Sequence, residues 1–598
     1  MYNRAKPKLQ EVMIMPQWNL TRLYTSLDDE KLQQDLQESV QSAKNIQQKY
    51  SPLLQNPHLE ASTFRQFLEE TEKILDKGYI AFQFANLSYA SCTSDEKAQR
   101  IFSKALDAIT EIDAALSFWK PMMSEHNAAV LQTLMDHPQL TEYRHVLQLI
   151  VESKKHILKE NEERLLSTFS NSSRKAFGNL YDAVTNAYEF QITLDGKEQT
   201  MTGPQIRSLR LHSDVSVRRD SMKIFFQRYA NDKIVLEKSY NAIAKHYDTE
   251  SRIRNFTQPI HMRNLDNEVD NSIVDTLVET TSDHTHVLQK YYKWKSGKLG
   301  IPLTLADIYA PLKPVDTKIS FDEAKDIVLK AYHQFDPEIG AIAASFFEDE
   351  RIDSDIRKGK RGGAFCSYVI PNKKPFVLLN YTGTMRDVMT LAHELGHGIH
   401  GTLSSEQNFW NYHTPLTMAE VASVFGEMIV MDSVLPLLPS EEKNSFIASK
   451  IEDMFATMFR QNMFCRFEIA SHKAIQENGS ASFEELSEIY HKELQQVFGS
   501  TVEIPSEYKA EWASIPHIFS VPFYVYAYNF ANLLVIALYQ KYKEEGSSFV
   551  PMYKNLLQSG GKQSPKELLA PLGIQLDSAD FWKKGFAYVS DNLIRSLE

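Results

Sequence analysis

Apolar residues recur at three- and four-residue spacing through most of the first 190 positions. Phe64 to Leu75 and Ala98 to Trp119 carry this period clearly, and both read as helices. Lys31 to Lys49 (KLQQDLQESVQSAKNIQQK) reads as a long, solvated helix. Glu152 to Ser170 is dense in charge and reads as a cap or link between helices. The period changes at Glu189. EFQITLDGKEQTMT alternates about Asp195-Gly196, which predicts a two-stranded hairpin, with helices resuming near Gly203. A second β-like region holds two apolar runs, Ala364–Ile370 and Phe376–Tyr381, joined by Pro-Asn-Lys-Lys-Pro. Past these runs the pattern is helical almost to the end. The shift at residue 189 suggests a division into an N-terminal helical domain, 1–200, and a second domain, 201–598.

From Trp512 to Gln540 there is no Asp, Glu, Lys or Arg. That length would span a bilayer. However, Pro516, His517, Pro522, Asn529, Asn532 and several tyrosines fall within it, and their polar groups are expensive in lipid. A buried helix beside a polar site is the better reading, and no membrane association is expected. The first residues, MYNRAKPKLQEVMIMPQWNL, show no apolar core of a secretory leader. Three scattered cysteines, Cys92, Cys366 and Cys465, imply no disulfide framework and suit a reducing, cytoplasmic setting. With 77 acidic and 65 basic residues the net charge is −12, which argues against a general nucleic-acid binder.

The chemistry concentrates in LAHELGHGIHG, Leu391 to Gly401. Thr384 and Asp387 form a T-x-x-D start signal, and Val388, Leu391, Ala392, Leu395 and Ile399 continue a helix. His393 and His397 project from one face and can grip one zinc ion. Glu394, next to the first of them, suits a general base acting on water at the ion. Gly396 and Gly398 lower helix propensity, so close packing of another backbone is expected there. His400 lies about 10 Å further along the axis than His393, too far to share the ion on a straight helix. A metzincin-type third histidine would fall at position 403, which is Leu403. His400 therefore reads as a structural or supporting residue.

A third ligand is sought downstream. PLTMAEVASVFGEMIV places Glu420 and Glu427 seven apart, read as one face of an apolar helix. Glu420 would complete a two-histidine, one-carboxylate set, with Glu427 orienting a ligand histidine. Thr417-x-x-Glu420 is equally a capping box, and spacing leaves both readings open. In PHIFSVPFYVYAYNFANLL, His517, Tyr524, Tyr526 and Tyr528 offer donors suited to an oxyanion, or simply an aromatic core. Helical spacing would align Tyr524 with Tyr528 and turn Tyr526 into the core, with the helix starting near Phe523 behind Pro522.

HELGHGIH followed by AEVASVFGE, with Glu420 placed 23 residues after His397, resembles the thimet-oligopeptidase-like zinc metallopeptidases, and most nearly their oligoendopeptidase F branch. PQWNLTRLYTSLDD, DIYAPL (Asp307–Leu312), GGAFCSY (Gly362–Tyr368) and HIFSVPFYVYAY (His517–Tyr528) extend the likeness over most of the chain. The resemblance implies a mainly α fold: an elongated multi-helix ellipsoid with a deep substrate channel and a small β-sheet beside the zinc helix. It implies one Zn2+ held by His393, His397 and Glu420, with Glu394 as base, and short unstructured oligopeptides as substrates. It also implies that His517 and tyrosines of the late segment, best matched by Tyr524 and Tyr528, hold substrate and stabilise the transition state. Gly362, Gly363, Ala364 and Phe365 read as a strand that pairs with substrate backbone. A zinc carboxypeptidase or dipeptidase with the same ligands, or a non-catalytic peptide binder, are the competing readings. The intact Glu394 speaks against the last.

Overall fold

The computed structural model describes residues 15–313 and 318–598, so most of the stretch read for a leader lies outside the described residues. The N-terminal part opens with three long helices, Glu30–Leu54, Ala61–Ser91 and Glu96–Leu116. Asp29 and Asp95 start the first and third, because each carboxylate accepts a hydrogen bond from an otherwise unpaired N–H of the first turn. The helix expected to be solvated is so on one face only: Leu32, Leu36, Ala43, Ile46, Tyr50 and Leu54 are buried. The pattern from Ala98 to Trp119 is broken after Leu116, and a separate helix, Trp119–Glu125, follows.

The predicted hairpin forms from β1 (Glu189–Leu194) and β2 (Lys197–Thr202), antiparallel, with Leu194 opposite Lys197. Asp195 and Gly196 both take positive φ, 52° and 73°, which matches the twist of a tight two-residue turn. A three-stranded sheet follows: β3 (Ile352–Asp353), β4 (Phe365–Ser367) and β5 (Phe376–Leu378), in the order β3-β5-β4. β4 runs antiparallel to β5 and β3 parallel to it. The two apolar runs thus give strands, but shorter ones than their length suggests, and β3 was not anticipated. Two residues are too few to show alternation. β4 is an edge strand, paired on one side only among the described residues.

One large hydrophobic core runs from Tyr181 to Leu597 and contains the hairpin, the histidine-bearing helix and the late aromatic segment. Smaller clusters hold the N-terminal helices together. A further small cluster joins Trp18, Leu87 and Ala90 to Val369, Ile370, Phe376 and Leu378, so the sheet packs against the N-terminal helices. Backbone bonds reinforce the seam: Ser354 N–H donates to Pro16 and Asn19 N–H to Glu350 (2.9 and 2.8 Å). The charge-free stretch is broken into the end of a 3-10 segment, Ser506–Ser514, a short helix, Pro516–Ser520, and most of the helix Tyr526–Glu545. Among the described residues no helix is long and apolar enough to cross a membrane.

Candidate metal and peptidase site

The strand β5 leads through Gly383 (φ 86°) into the helix Met385–Leu403. The start signal read from sequence is formed: Asp387 Oδ2 accepts from Thr384 N–H and hydroxyl, and Thr384 Oγ1 accepts from Asp387 N–H. His393 and His397 share one face, with ring centroids 4.9 Å apart. Glu420 comes to the same point, its Oε2 lying 3.3 Å from the Nε2 of each histidine. The three donor atoms lie within 4.8 Å of one another, the arrangement of a metal-binding group.

Glu420 does not sit on a continuous helix with Glu427, as the spacing suggested. The chain breaks there, between Leu416–Ala419 and Val421–Val434, with Glu420 at φ −85°, ψ 2°. Nor does a capping box form with Thr417, whose buried hydroxyl faces the Asn267 carbonyl. Ser423 Oγ instead donates to Glu420 Oε2 at 2.7 Å, holding the carboxylate toward the histidines. Glu427, one helical segment on, meets His393 Nδ1 at 2.8 Å and accepts from Lys450 Nζ at 2.8 Å. That contact leaves the Nε2 of His393 free to act as the donor.

Gly396 has the backbone crossing that the sequence hinted at, whereas Gly398 makes room for a side chain. A Cβ on Gly396 would lie 2.4 Å from the Ala422 carbonyl oxygen and 2.6 Å from Ser423 Cα. A Cβ on Gly398 would meet the Phe346 ring at 2.3 Å. Gly396 therefore lets the Glu420-bearing segment cross directly against the histidine helix.

Electrostatics follow from burial and this convergence. Burial alone would raise Glu420, but hydrogen bonds from His393 and His397 outweigh it and hold the carboxylate far below its ordinary range. Burial opposes charge on His393, yet Glu420 and Glu427 push it up to about 10. Glu427 is held down at about 2, its burial outweighed chiefly by Lys450. Glu394 is buried and its Oε2 has no hydrogen-bond partner among the described residues. Burial raises its pKa against the pull of His393 and His397. His400 is buried away from the donor group, pushed down to about 3 by burial and by His397 and His413.

The late aromatic segment departs from the expected helix start. Phe523 takes a left-handed conformation (φ 58°), and the helix begins only at Tyr526. Phe523 N–H donates to the buried carboxylate of Glu468 at 2.8 Å. Tyr526 is fully buried, its hydroxyl accepting from Asn267 Nδ2 at 2.9 Å. Tyr524 and Tyr528 meet edge to face at 5.1 Å, and the Tyr528 hydroxyl lies 3.4 Å from His517 Nε2. Burial, then Tyr524 and Glu420, raises Tyr528 above the ordinary phenol range; burial lowers His517. Tyr528 lines a cavity of about 270 Å3 with His393, Glu420, Glu427 and Lys450. Gly362 and Gly363 (φ 81°) lie in a bend, Ala364 follows, and Phe365 opens β4.

Sequence reasoning missed Lys450, Glu468 and Tyr368, whose hydroxyl donates to the His397 carbonyl at 2.9 Å. A lysine and a glutamate within otherwise amphipathic helices gave no distinguishing signal.

Comparison with known proteins decides the family. A family model described as peptidase family M3 matches residues 208–588. The chain belongs to peptidase family M3. A second model, described as oligopeptidase F, matches residues 123–190. An oligoendopeptidase F homolog of Borreliella burgdorferi is 29% identical over 537 residues, covering 88% of this chain and 89% of that one. The crystal structure of a Chlamydophila abortus protein matches at TM-score 0.84 and 22% identity over 97% of both chains. That of oligoendopeptidase-F from Enterococcus faecium matches at 0.71 and 20%, over 97% and 99%. The M3 chain is thus a peptidase-family member with the same elongated, mainly helical fold.

Proposed function

We propose that this M3 peptidase is a zinc-dependent endopeptidase acting on short, unstructured oligopeptides. The observation that carries the reading is the convergence of His393 Nε2, His397 Nε2 and Glu420 Oε2, with the unpartnered Glu394 carboxylate on the same helix. The donor set fits the group: two imidazoles and one carboxylate suit a single zinc ion and leave a coordination position open. When bound, zinc supplies a Lewis acid that polarises a carbonyl and makes water more acidic.

Glu394 takes the proton from the water that attacks the peptide carbonyl and passes it to the leaving amine. Its lack of a hydrogen-bond partner keeps it available for that exchange. Glu427 fixes the His393 ring, and His400 supports the helix from within. Tyr528 donates to the oxyanion, with His517 and Tyr524 positioning it and the substrate. The bend Gly362-Gly363-Ala364 and the free edge of β4 from Phe365 take up the peptide backbone as an added strand. The N-terminal region, 1–200, serves as one wall of a substrate channel and 201–598 as the catalytic domain, and the protein works in the cytoplasm.

The test joins metal analysis to product analysis. One zinc per chain by mass spectrometry, and internal cleavage of a peptide blocked at both ends, are expected. Release of terminal residues from unblocked peptides only would make it a carboxypeptidase or dipeptidase. Binding without cleavage would make it a peptide-binding protein.

A further inference from the structure

His517 also borders a second recess of about 320 Å3. Three arginines line it, Arg207, Arg210 and Arg460, against one acid, Glu511. That acid is already engaged. Arg460 Nη2 donates to one of its oxygens at 2.5 Å and the Tyr490 hydroxyl to the other at 2.8 Å. Arg460 Nη1 is buried and has no partner among the described residues. Neither Arg207 nor Arg210 makes a salt bridge among the described residues. They lie over rings instead, Arg207 over Phe225 at 5.7 Å and Arg210 over Tyr309 at 4.5 Å.

An acidic protein thus concentrates positive charge in one partly buried recess. Arg207 is exposed and Arg460 is paired with Glu511, but Arg210 is partly buried with no acidic partner among the described residues, and such a cation is costly to keep. Burial, with Arg207, Arg460 and Arg386 nearby, already pushes the Arg210 guanidinium below its ordinary range. An anion entering the recess would relieve this, and planar guanidinium groups match a carboxylate.

The recess adjoins the metal site at two places. His517 borders it and lies 3.4 Å from the Tyr528 hydroxyl, which borders the other cavity. The π-helical turn Ala456–Arg460 separates the two, with Thr457 lining one and Arg460 the other. Such turns interrupt helices most often at functional sites.

We propose that Arg207, Arg210 and Arg460 form a subsite for a carboxylate of the bound peptide, either its C-terminus or an Asp or Glu side chain. The proposal rests on the peptide-substrate reading above and narrows it to anionic peptides.

The test is equilibrium binding to the full-length, zinc-loaded Glu394→Gln protein, which leaves peptides intact. Four fluorescent peptides of one neutral sequence are compared: C-terminal amide, free C-terminal acid, amide with one Glu, and amide with one Gln. A carboxylate is expected to tighten binding by about 10–100-fold. Preference for the free acid over its amide assigns the C-terminus; preference for Glu over Gln assigns a side chain. Arg210→Met, or the exposed Arg207→Met, should collapse the acid-to-amide ratio, and Arg210→Lys should restore part of it. Equal or undetectable binding of all four peptides, or an undiminished ratio in both Met variants, overturns the subsite. Failure of the endopeptidase reading is separate: the wild-type protein would leave the amide peptide uncleaved while the carboxylate preference persisted.

Discussion

The two halves of the candidate site are built on opposite principles. His393, Glu394 and His397 sit on an unbroken helix, so their geometry follows from spacing alone. His517 sits in a short helix and Tyr528 at the start of a long one, and their relative placement is set by the irregular chain between them, which carries Tyr524 and is turned by a left-handed Phe523. Nothing local favours that turn in a phenylalanine. It is held by Glu468, 55 residues away in sequence and fully buried. The lesson is that a regular element carries its own positional information, while an irregular one borrows it from distant partners.

This contrast makes predictions that can break it. The largest effect belongs to the helix. Glu394→Gln should lower turnover by at least about 10²–10⁴-fold and keep its zinc by mass spectrometry. Near-normal turnover in a zinc-replete variant would remove Glu394 as base.

In the irregular half, Tyr528→Phe should lower kcat by about 10²–10³-fold with unchanged zinc content. Tyr526→Phe should leave kcat nearly unchanged but lose about 1 kcal/mol of stability, because Asn267 then lacks its partner. A large kcat effect at Tyr526 would show that the helical register has been misassigned.

Packing supplies the third test. Gly396→Ala drives a Cβ into the Ala422 carbonyl and should cost about 1–3 kcal/mol in urea unfolding. It should also weaken zinc binding, since Glu420 lies just upstream of the displaced backbone. Gly297→Ala, in a helix with open space around it, should instead stabilise by about 0.5–1 kcal/mol. Equal effects at both sites would mean that the crossing is not tight.

A last test concerns the anchor. Burial pushes Glu468 up to about 8, against the bond from Phe523 N–H and the nearby Arg263. In the unfolded chain its pKa is about 4.3. Between these values the native state keeps a proton that the unfolded chain has released. Its stabilising contribution is therefore full at low pH and falls as pH rises through about 8. Glu468→Gln, which can still accept the Phe523 bond, should gain stability relative to wild type between about pH 5 and pH 8. A difference that is flat across this range in urea midpoints would disprove the protonated anchor.

The same contrast explains what was legible in the sequence. The helix Met385–Leu403 was readable because its start box and its apolar period coincide, and the hairpin because Asp195-Gly196 interrupts a clean alternation. Individual helices followed from such periods, whereas the mainly helical fold as a whole was implied by the family resemblance. The break at Glu420 was not readable, since MAEVASVFGE continues a helical pattern on both sides and only the crossing at Gly396 makes a break favourable. The turn at Phe523 was hidden for the reason given above, and β3 because two residues carry no period. Lys450 and Glu468 could not be singled out, because what distinguishes them is the company they keep in space.

The seam between Pro16–Asn19 and the sheet has a consequence in time. The hydrogen bond from Ser354 to Pro16 closes a loop spanning 338 positions. A chain emerging at about 5–20 residues per second takes tens of seconds to deliver the second partner after the first. Throughout that interval Trp18 and its neighbours wait without the strand they will cover. β4, the edge proposed to receive substrate, is completed only after the N-terminal helices already exist. A nascent chain therefore lacks this edge until about three fifths of it has been made, and the seam that joins the sheet to the N-terminal helices can close only after that.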